Sequence, residues 1–304
     1  MVIKGLGIDE QHFETAMEKY DAWPTTVWDI SYSDKNLHIL KKLIGDGTRY
    51  GWATRPQLAK TCNYYYPSQC GTEGVVRKRE STFNPIICIL ALNMFGPKKD
   101  SGMNVYDPFA GGGARAVVVG KYHLNYYGCE IRQNECEAII ERAKNNEVEQ
   151  FVTVINTDCR KVPILVNNKC DFLITCPPYY DLEQYDGGEN DMSMAPTYHV
   201  YCSMINEAII ESRRILKPGA FSAWVVGMHR DKNGELLPIH HDVARLHCKA
   251  GFFMKEEIAL YWNQYTTGAL KRVGYFEKGQ KHLIRTHEYC QIFINKKEVT
   301  DEKN

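Results

Sequence analysis

The sequence predicts an α/β protein whose sheet is mostly parallel and carries helices on both faces. Two observations lead to this fold. Short apolar runs alternate with helical patterns from residue 84 onward, and a glycine-rich, acidic or proline-rich loop follows several of the runs. In such sheets, ligands bind where the loops at the carboxyl ends of the strands meet. We therefore expect the functional residues in these loops.

The predicted elements begin with an apolar helix over 85–95. Pro85 lies near its start, where a missing backbone N–H is tolerated. Strands are predicted at 104–106, 126–131, 152–155, 172–175, 220–226, 255–262 and 288–295. Further helices are predicted at 115–121, 134–145, 198–216 and 241–250. The run Lys217-Pro218-Gly219 is a good stop for the helix that begins at Tyr198.

Residues 1–80 differ in pattern from the rest of the chain. They contain Trp23, Trp28, Trp52 and the run Tyr64-Tyr65-Tyr66, with no clean helical or strand period. We expect an N-terminal extension over 1–80 that packs on the core or takes part in substrate recognition. The main domain is predicted over 81–298, and residues 299–304 form a polar tail.

The overall composition excludes several classes of protein. The chain has 304 residues with 37 basic and 37 acidic side chains, so a nucleic-acid surface would have to be local. No apolar stretch is long enough to cross a bilayer, and residues 1–20 do not form a signal peptide. The eleven cysteines contain no CxxC pair, which predicts reduced thiols in a cytoplasm and no metal site.

Two loop motifs carry the candidate chemistry. The first is Asp107-Pro108-Phe109-Ala110-Gly111-Gly112-Gly113, where glycine lets the backbone turn tightly and approach a ligand. The second is Thr175-Cys176-Pro177-Pro178-Tyr179-Tyr180, where two prolines fix the backbone beside an aromatic ring. Each is also consistent with a plain turn after a strand. Glu130 and Asp158 follow two further predicted strands.

Together these motifs resemble the cofactor loop and the catalytic loop of S-adenosylmethionine-dependent DNA amino-methyltransferases, over about residues 83–295. The resemblance implies a Rossmann-like class I methyltransferase fold, with a seven-stranded, mostly parallel sheet and an antiparallel edge hairpin strand. It implies S-adenosyl-L-methionine as cofactor and double-stranded DNA with a flipped base as partner. The expected product is methylated at N4 of cytosine, ahead of N6 of adenine. The expected setting is a phage or restriction-modification enzyme in the cytoplasm of a bacterial or phage-infected cell.

The resemblance also implies which residues contact the cofactor. The glycine loop would hold the methionine part, with Asp107 near its amino group. Glu130 would accept hydrogen bonds from the ribose hydroxyls, and Asp158 from the adenine amino group. The predicted cofactor-binding residues are Phe83, Asn84, Pro85, Asp107, Phe109, Gly111, Gly113, Glu130, Asp158 and Cys159. Asn84-Pro85 is equally consistent with a helix cap.

The predicted catalytic residues are Thr175, Cys176, Pro177, Pro178 and Tyr179. In the resembling family, an Asp, Asn or Ser oxygen and the next proline's carbonyl accept hydrogen bonds from the target amine, and the aromatic ring stacks on the base. Cys176 departs from this pattern, because a thiol is a weak acceptor. The Pro177 carbonyl remains, with Thr175 as a candidate second acceptor. An RNA amino-methyltransferase and a non-catalytic nucleic-acid-binding protein of the same fold remain alternatives.

Nucleic-acid contacts are expected in two places. Residues 181–196 resemble the mobile loop that follows the catalytic motif and closes over substrate. Residues 263–287 interleave basic and aromatic side chains, a composition suited to phosphate contacts, although a solvated hairpin has the same composition. The predicted nucleic-acid-binding residues are Tyr180, Lys271, Arg272, Lys281 and Arg285.

Overall fold

The computed structural model describes residues 26–30, 83–162, 169–182, 185, 187–231, 233–261, 279, 283 and 286–296. Four predicted nucleic-acid-binding residues lie outside these ranges: Lys271, Arg272, Lys281 and Arg285. Most of the N-terminal extension and the polar tail over 299–304 also lie outside them.

The described strands and helices follow the predicted order with small shifts at their ends. The strands are β1 (Val27–Asp29), β2 (Asn104–Asp107), β3 (Asn125–Glu130), β4 (Val152–Asn156), β5 (Cys170–Thr175), β6 (Leu216–Val226), β7 (His229–Arg230), β8 (Leu236–Leu237), β9 (Phe252–Tyr261) and β10 (His287–Asn295). The helices are α1 (Pro85–Phe95), α2 (Ala114–Lys121), α3 (Gln133–Asn145), α4 (Tyr198–Ile215) and α5 (Ile239–Lys249). Among these described helices, none combines the length and apolar character that crossing a membrane requires.

Eight strands form one sheet in the order β1-β9-β10-β6-β5-β2-β3-β4. β10 pairs antiparallel with β6 and β9, and the remaining pairs are parallel. This confirms the predicted α/β class. The antiparallel strand, however, lies inside the sheet and not at its edge. Its central residues Cys290 to Phe293 are all fully buried, as expected of a strand covered on both faces.

β1 adds an eighth strand from the N-terminal extension. It pairs in parallel with β9, and Trp28 is buried in the core. The Asn84 side-chain amide donates to the Ile30 carbonyl at 2.8 Å. Part of the extension therefore packs on the core, which is one of the two roles expected for it.

The sheet separates two hydrophobic clusters. On one face, buried side chains from α1, α2 and α3 pack against alternate sheet residues such as Phe172, Ile174 and Val225. On the other face, side chains from α4 and α5 pack against Leu173 and Trp224. The alternation of these residues between faces follows the two-residue repeat of a strand. Both faces are covered, so the loops at the strand ends are left to form the site.

Candidate active site

The two sequence motifs end neighbouring parallel strands. β2 and β5 pair through Val105 with Phe172 and through Tyr106 with Leu173, so their following loops emerge side by side at the carboxyl edge. The Thr175 hydroxyl donates to Asp107 Oδ1 at 2.7 Å, and both residues are fully buried. The glycine loop and the Pro-Pro loop (residues 176–180) are thus joined at their bases.

Asp107 anchors this junction. Besides Thr175, its carboxylate accepts hydrogen bonds from Arg115 Nε at 2.6 Å, Tyr126 Oη at 2.8 Å and the Phe109 backbone N–H at 3.2 Å. A carboxylate has about four acceptor positions, so these four donors occupy them. Asp107 therefore anchors both loops from beneath. Its contact with the cofactor's amino group stays a prediction.

Arg115 is the second part of this anchor, and the sequence reasoning missed it. Its guanidinium donates to the carbonyls of Phe109 and Ala110 and lies 4.4 Å from the centre of the Phe83 ring. Burial alone would lower the pKa of Arg115, but the adjacent Asp107 carboxylate raises it above the ordinary value. The available signal was a charged residue in the apolar run of α2, eight residues after an aspartate.

Two glycines of the glycine loop have left-handed backbone, and they differ in how closely other atoms approach them. Gly111 and Gly113 have φ angles of +52° and +75°, in the left-handed region that glycine enters at little cost. A β-carbon on Gly113 would lie 3.1 Å from the Ile139 side chain, whereas one on Gly111 would meet nothing closer than 3.7 Å. Gly111 therefore faces open space where a ligand can approach.

Glu130, at the end of β3, lies beside this loop. Its Oε2 accepts from the Gly111 N–H at 3.1 Å, and its Oε1 accepts from the Arg132 backbone N–H at 3.0 Å. The residue is 8% exposed. The carboxylate is therefore placed next to the loop surface where a ribose would lie. Its contact with ribose hydroxyls stays a prediction.

Asp158 follows β4 and is clamped by Arg160. The two carboxylate oxygens accept from Arg160 Nε at 2.9 and 3.1 Å and from Nη2 at 2.6 Å. Burial tends to raise the pKa of Asp158, but the bonds from Arg160 outweigh it and lower that pKa. Asp158 therefore carries a negative charge. The next residue, Cys159, is buried, and burial raises the pKa of its thiol.

Described residues of the expected closing loop cover these two carboxylates. Tyr185 stacks over the Arg132 guanidinium, with 5.2 Å from the charge centre to the ring centre. Asn190 Oδ1 accepts from Arg160 Nη2 at 3.0 Å. A segment of the loop thus rests on the arginines that hold Glu130 and Asp158.

The segment before the first helix has a structural role. Asn84 Oδ1 accepts from the Ile86 N–H at 3.1 Å and caps α1, and Pro85 is buried in the first helical turn. Phe83 packs under Arg115. Of the two readings of Asn84-Pro85, the structure supports the helix cap.

The two prolyl carbonyls of the Pro-Pro loop have different partners. Tyr201 Oη donates to the Pro178 carbonyl at 3.0 Å. The half-buried Cys176 thiol lies 4.0 Å from the Pro177 carbonyl. Thr175, in contrast, is fully buried and bonded to Asp107. Its role as a second acceptor for the target amine stays a prediction.

The tyrosines of the loop face different surroundings. The Tyr179 hydroxyl is buried, and a β-carbon on Gly227 would lie 3.2 Å from it. Burial, then the charges of Glu288 and Cys176, raises the pKa of Tyr179 well above its ordinary value. Tyr180 packs edge-on against Tyr198, with ring centres 5.7 Å apart. The Tyr180 and Tyr198 rings are half-buried and remain candidates for stacking on a base.

Metal binding has no candidate site in the described part of the chain. Within those residues, no group of three or more His, Cys, Asp or Glu side chains is arranged to hold a metal ion.

No protein-family model and no curated protein sequence matches the chain. Solved structures do show similarity. Over 70% of this chain and 49% of the other, it is similar to TrmN from Thermus thermophilus, at 13% identity and a TM-score of 0.47. The chain thus spans about half of that protein. A putative sarcosine dimethylglycine methyltransferase from Galdieria sulphuraria is 15% identical, with 70% and 85% covered and a TM-score of 0.48.

A geranyl diphosphate methyltransferase in complex with SAM is 12% identical, with 69% of this chain and 84% of that chain covered and a TM-score of 0.47. The strand order of this chain, with one reversed strand between β6 and β9, is what defines its fold. That fold is Rossmann-like.

Proposed function

We propose that the protein is an S-adenosylmethionine-dependent methyltransferase that modifies the exocyclic amine of a flipped base in DNA, with N4 of cytosine favoured over N6 of adenine. The observation that carries this proposal is the hydrogen bond from Thr175 to Asp107, which joins the glycine loop to the Pro-Pro loop. This bond supports a ligand on one loop lying beside a substrate on the other.

The residues at the carboxyl edge fit this cofactor. Gly111 offers backbone with open space above it, and the carboxylates of Glu130 and Asp158 lie at the ends of the next two strands. Their spacing along the sheet suits an extended ligand with a hydroxylated sugar and an amino-substituted base. When bound, S-adenosylmethionine supplies an electrophilic methyl group on sulfur.

The Pro-Pro loop supports an exocyclic amino group as the methyl acceptor. The Pro177 carbonyl can accept a hydrogen bond from an amino group and so draw the nitrogen lone pair towards the methyl donor. Because the prolines fix the backbone and Tyr201 holds the Pro178 carbonyl, this acceptor is preorganised, which lowers the barrier through alignment and electrostatics. Tyr180 and Tyr198 offer half-exposed rings for stacking on the extruded base.

The direct test is transfer of a labelled methyl group from S-adenosylmethionine to unmodified double-stranded DNA, with structured RNA as the parallel substrate. We expect label in DNA. A Tyr180→Ala variant should lose transfer while its cofactor affinity stays within a few fold, because removing a stacking surface costs about 1–3 kcal/mol per base. Label confined to RNA would favour the RNA enzyme. Cofactor binding without transfer to either would favour the non-catalytic alternative.

A further inference from the structure

The reaction proposed above needs a proton acceptor, and Cys176 is poorly suited to be one. A secondary amine formed by methylation begins as a cation and must lose a proton. The half-buried Cys176 is a weak hydrogen-bond acceptor as a thiol. Thr175 and Asp107 are bonded to each other beneath the loops. The proton acceptor therefore has to come from another element.

Strand pairing brings the carboxylate of Glu288 to the end of β6, near the Pro-Pro loop. In the antiparallel pair of β6 and β10, Val226 lies opposite Tyr289 and Val225 opposite Cys290. Beyond Tyr289, Glu288 lies opposite Leu260 of β9. Residues directly opposite each other in an antiparallel pair point to the same face of the sheet. Leu260 belongs to the cluster that contains Cys290 and Val225, so Glu288 projects to that face.

The Tyr179 hydroxyl reaches the same end of these strands. A β-carbon on Gly227 would lie 3.2 Å from Tyr179 Oη, so the hydroxyl lies over the residue that follows Val226, and Val226 pairs with the neighbour of Glu288. The negative charge of Glu288 follows burial as the next largest cause of the raised pKa of Tyr179, ahead of Cys176. Glu288 itself is half-buried.

Cys176 lies on the same face. Cys290, two residues along β10 from Glu288, is fully buried, and burial followed by the neighbouring Cys176 raises the pKa of Cys290 to about 12. Since residues two apart on a strand share a face, Glu288, Cys290 and Cys176 line one surface. Glu288 is the member nearest the carboxyl edge, from which the glycine loop and the Pro-Pro loop emerge.

On this placement, and resting on the proposed function, we propose that Glu288 is a catalytic residue that takes the proton of the target amine. The nitrogen lone pair forms the new N–C bond while the pair of the broken C–S bond stays on sulfur. The methylated nitrogen then passes one proton to the Glu288 carboxylate, which later releases it to water. A carboxylate from β10 thus performs a task for which the thiol of Cys176 is unsuited.

Glu288→Gln tests the role, because glutamine keeps the shape and loses the base. We expect kcat to fall by about 10²-fold or more, the acidic limb of the pH–rate profile to disappear, and cofactor KM to stay within about threefold. Glu288→Asp should retain part of the rate. Glu256→Gln is the matched control: it lies on β9 opposite Ile292, four residues along the sheet from Glu288, and should leave rate and profile unchanged.

A second readout needs neither substrate nor cofactor. The ¹³Cζ resonance of Tyr179, identified by its loss in Tyr179→Phe, should shift as a nearby carboxyl group titrates at acidic pH. That inflection should vanish in Glu288→Gln and persist in Glu256→Gln. If the wild type methylates DNA while Glu288→Gln keeps its kcat and pH profile, the assignment of Glu288 is wrong. If the wild type transfers no methyl group, the proposed function fails and the catalytic role fails with it, even where the resonance places the carboxylate beside Tyr179.

Discussion

The glycine loop and the Pro-Pro loop leave adjacent strands but are held in different ways. Beneath the glycine loop, a buried ion pair between Asp107 and Arg115 joins with Tyr126 and Thr175 in one network. The Pro-Pro loop is held by the Tyr201 hydroxyl on the Pro178 carbonyl and by packing of its tyrosines. The first loop is locked by charge from below, whereas the second leaves Cys176 half-buried.

This difference predicts that substitutions near the two loops have different consequences for stability and for catalysis. A buried charge network tolerates little change, since removing one partner leaves the other charged and unpaired. A loop held by one hydroxyl and by packing can be altered with smaller effects on folding. Substitutions beneath the glycine loop should therefore act mainly on stability, and substitutions around the Pro-Pro loop mainly on turnover.

The largest expected effect comes from Arg115→Met, which removes one half of the buried ion pair and leaves the Asp107 carboxylate unpaired. We expect a loss of about 3–5 kcal/mol in the free energy of unfolding, measured by urea denaturation. Lys121→Met, at the other end of the same helix, should change the free energy by less than about 0.5 kcal/mol. A small effect at Arg115 would mean that the network is not an anchor.

Lowering the pH should reduce the free energy of unfolding through His247 of α5. This fully buried histidine stacks on Phe293 and has its pKa lowered from 6.5 to about 3, chiefly by burial. Unfolding would let it bind a proton below pH 6.5, so stability falls as pH falls through that window. Between pH 7 and 5 we expect a loss of about 2 kcal/mol. His247→Phe should remove this part of the pH dependence, and the exposed His199→Phe should not.

Alanine substitutions at Gly111 and Gly113 should distinguish a loss of packing from a loss of ligand binding within the glycine loop. Either alanine substitution places a β-carbon in left-handed backbone, at about 1–2 kcal/mol. Gly113→Ala adds a contact at 3.1 Å with Ile139 and should cost more stability. Gly111→Ala faces open space and should weaken S-adenosylmethionine binding more, as measured by calorimetry. The reverse ranking would place the cofactor elsewhere.

The smallest expected effect on folding is at Tyr201. Tyr201→Phe keeps the ring and removes the bond to Pro178, at about 1 kcal/mol. We expect kcat to fall while cofactor affinity is unchanged, because the Pro178 carbonyl and the adjacent Pro177 carbonyl are no longer held in position. Tyr122→Phe is the matched control: it loses a comparable bond, to Asn93 at 2.7 Å, on the far side of α2 from the Pro-Pro loop. Equal effects of the two variants on kcat would remove the positioning role from Tyr201.

Much of the fold could be predicted because its elements have strong local signals. The apolar run at 85–95 and the amphipathic pattern at 134–145 gave helices within one residue of those observed. β1 could not be predicted, since three residues carry no usable period and pair only with β9. The inward position of β10 likewise depends on pairing with β6, which is far away in sequence.

The site was predictable to the level of its loops but not of its contacts. Both motifs lie where strand alternation placed them. Which carboxylates are buried and bonded, however, depends on partners such as Arg115 and Tyr126, which come together only in the folded sheet. The four hydrogen bonds that anchor Asp107, for example, had no signal in the sequence. Glu288 had no local signal, because it reaches the site through strand register.

The central claim is that the two joined loops methylate an exocyclic amine, and nucleoside analysis of the product tests it most directly. DNA treated with S-adenosylmethionine and either the wild type or Cys176→Ser should be digested and analysed by mass spectrometry. We predict N4-methylcytosine, or N6-methyladenine, from both proteins, with the serine variant at least as active because a hydroxyl is the better acceptor. Formation of 5-methylcytosine by the wild type, with an inactive serine variant, would contradict the account.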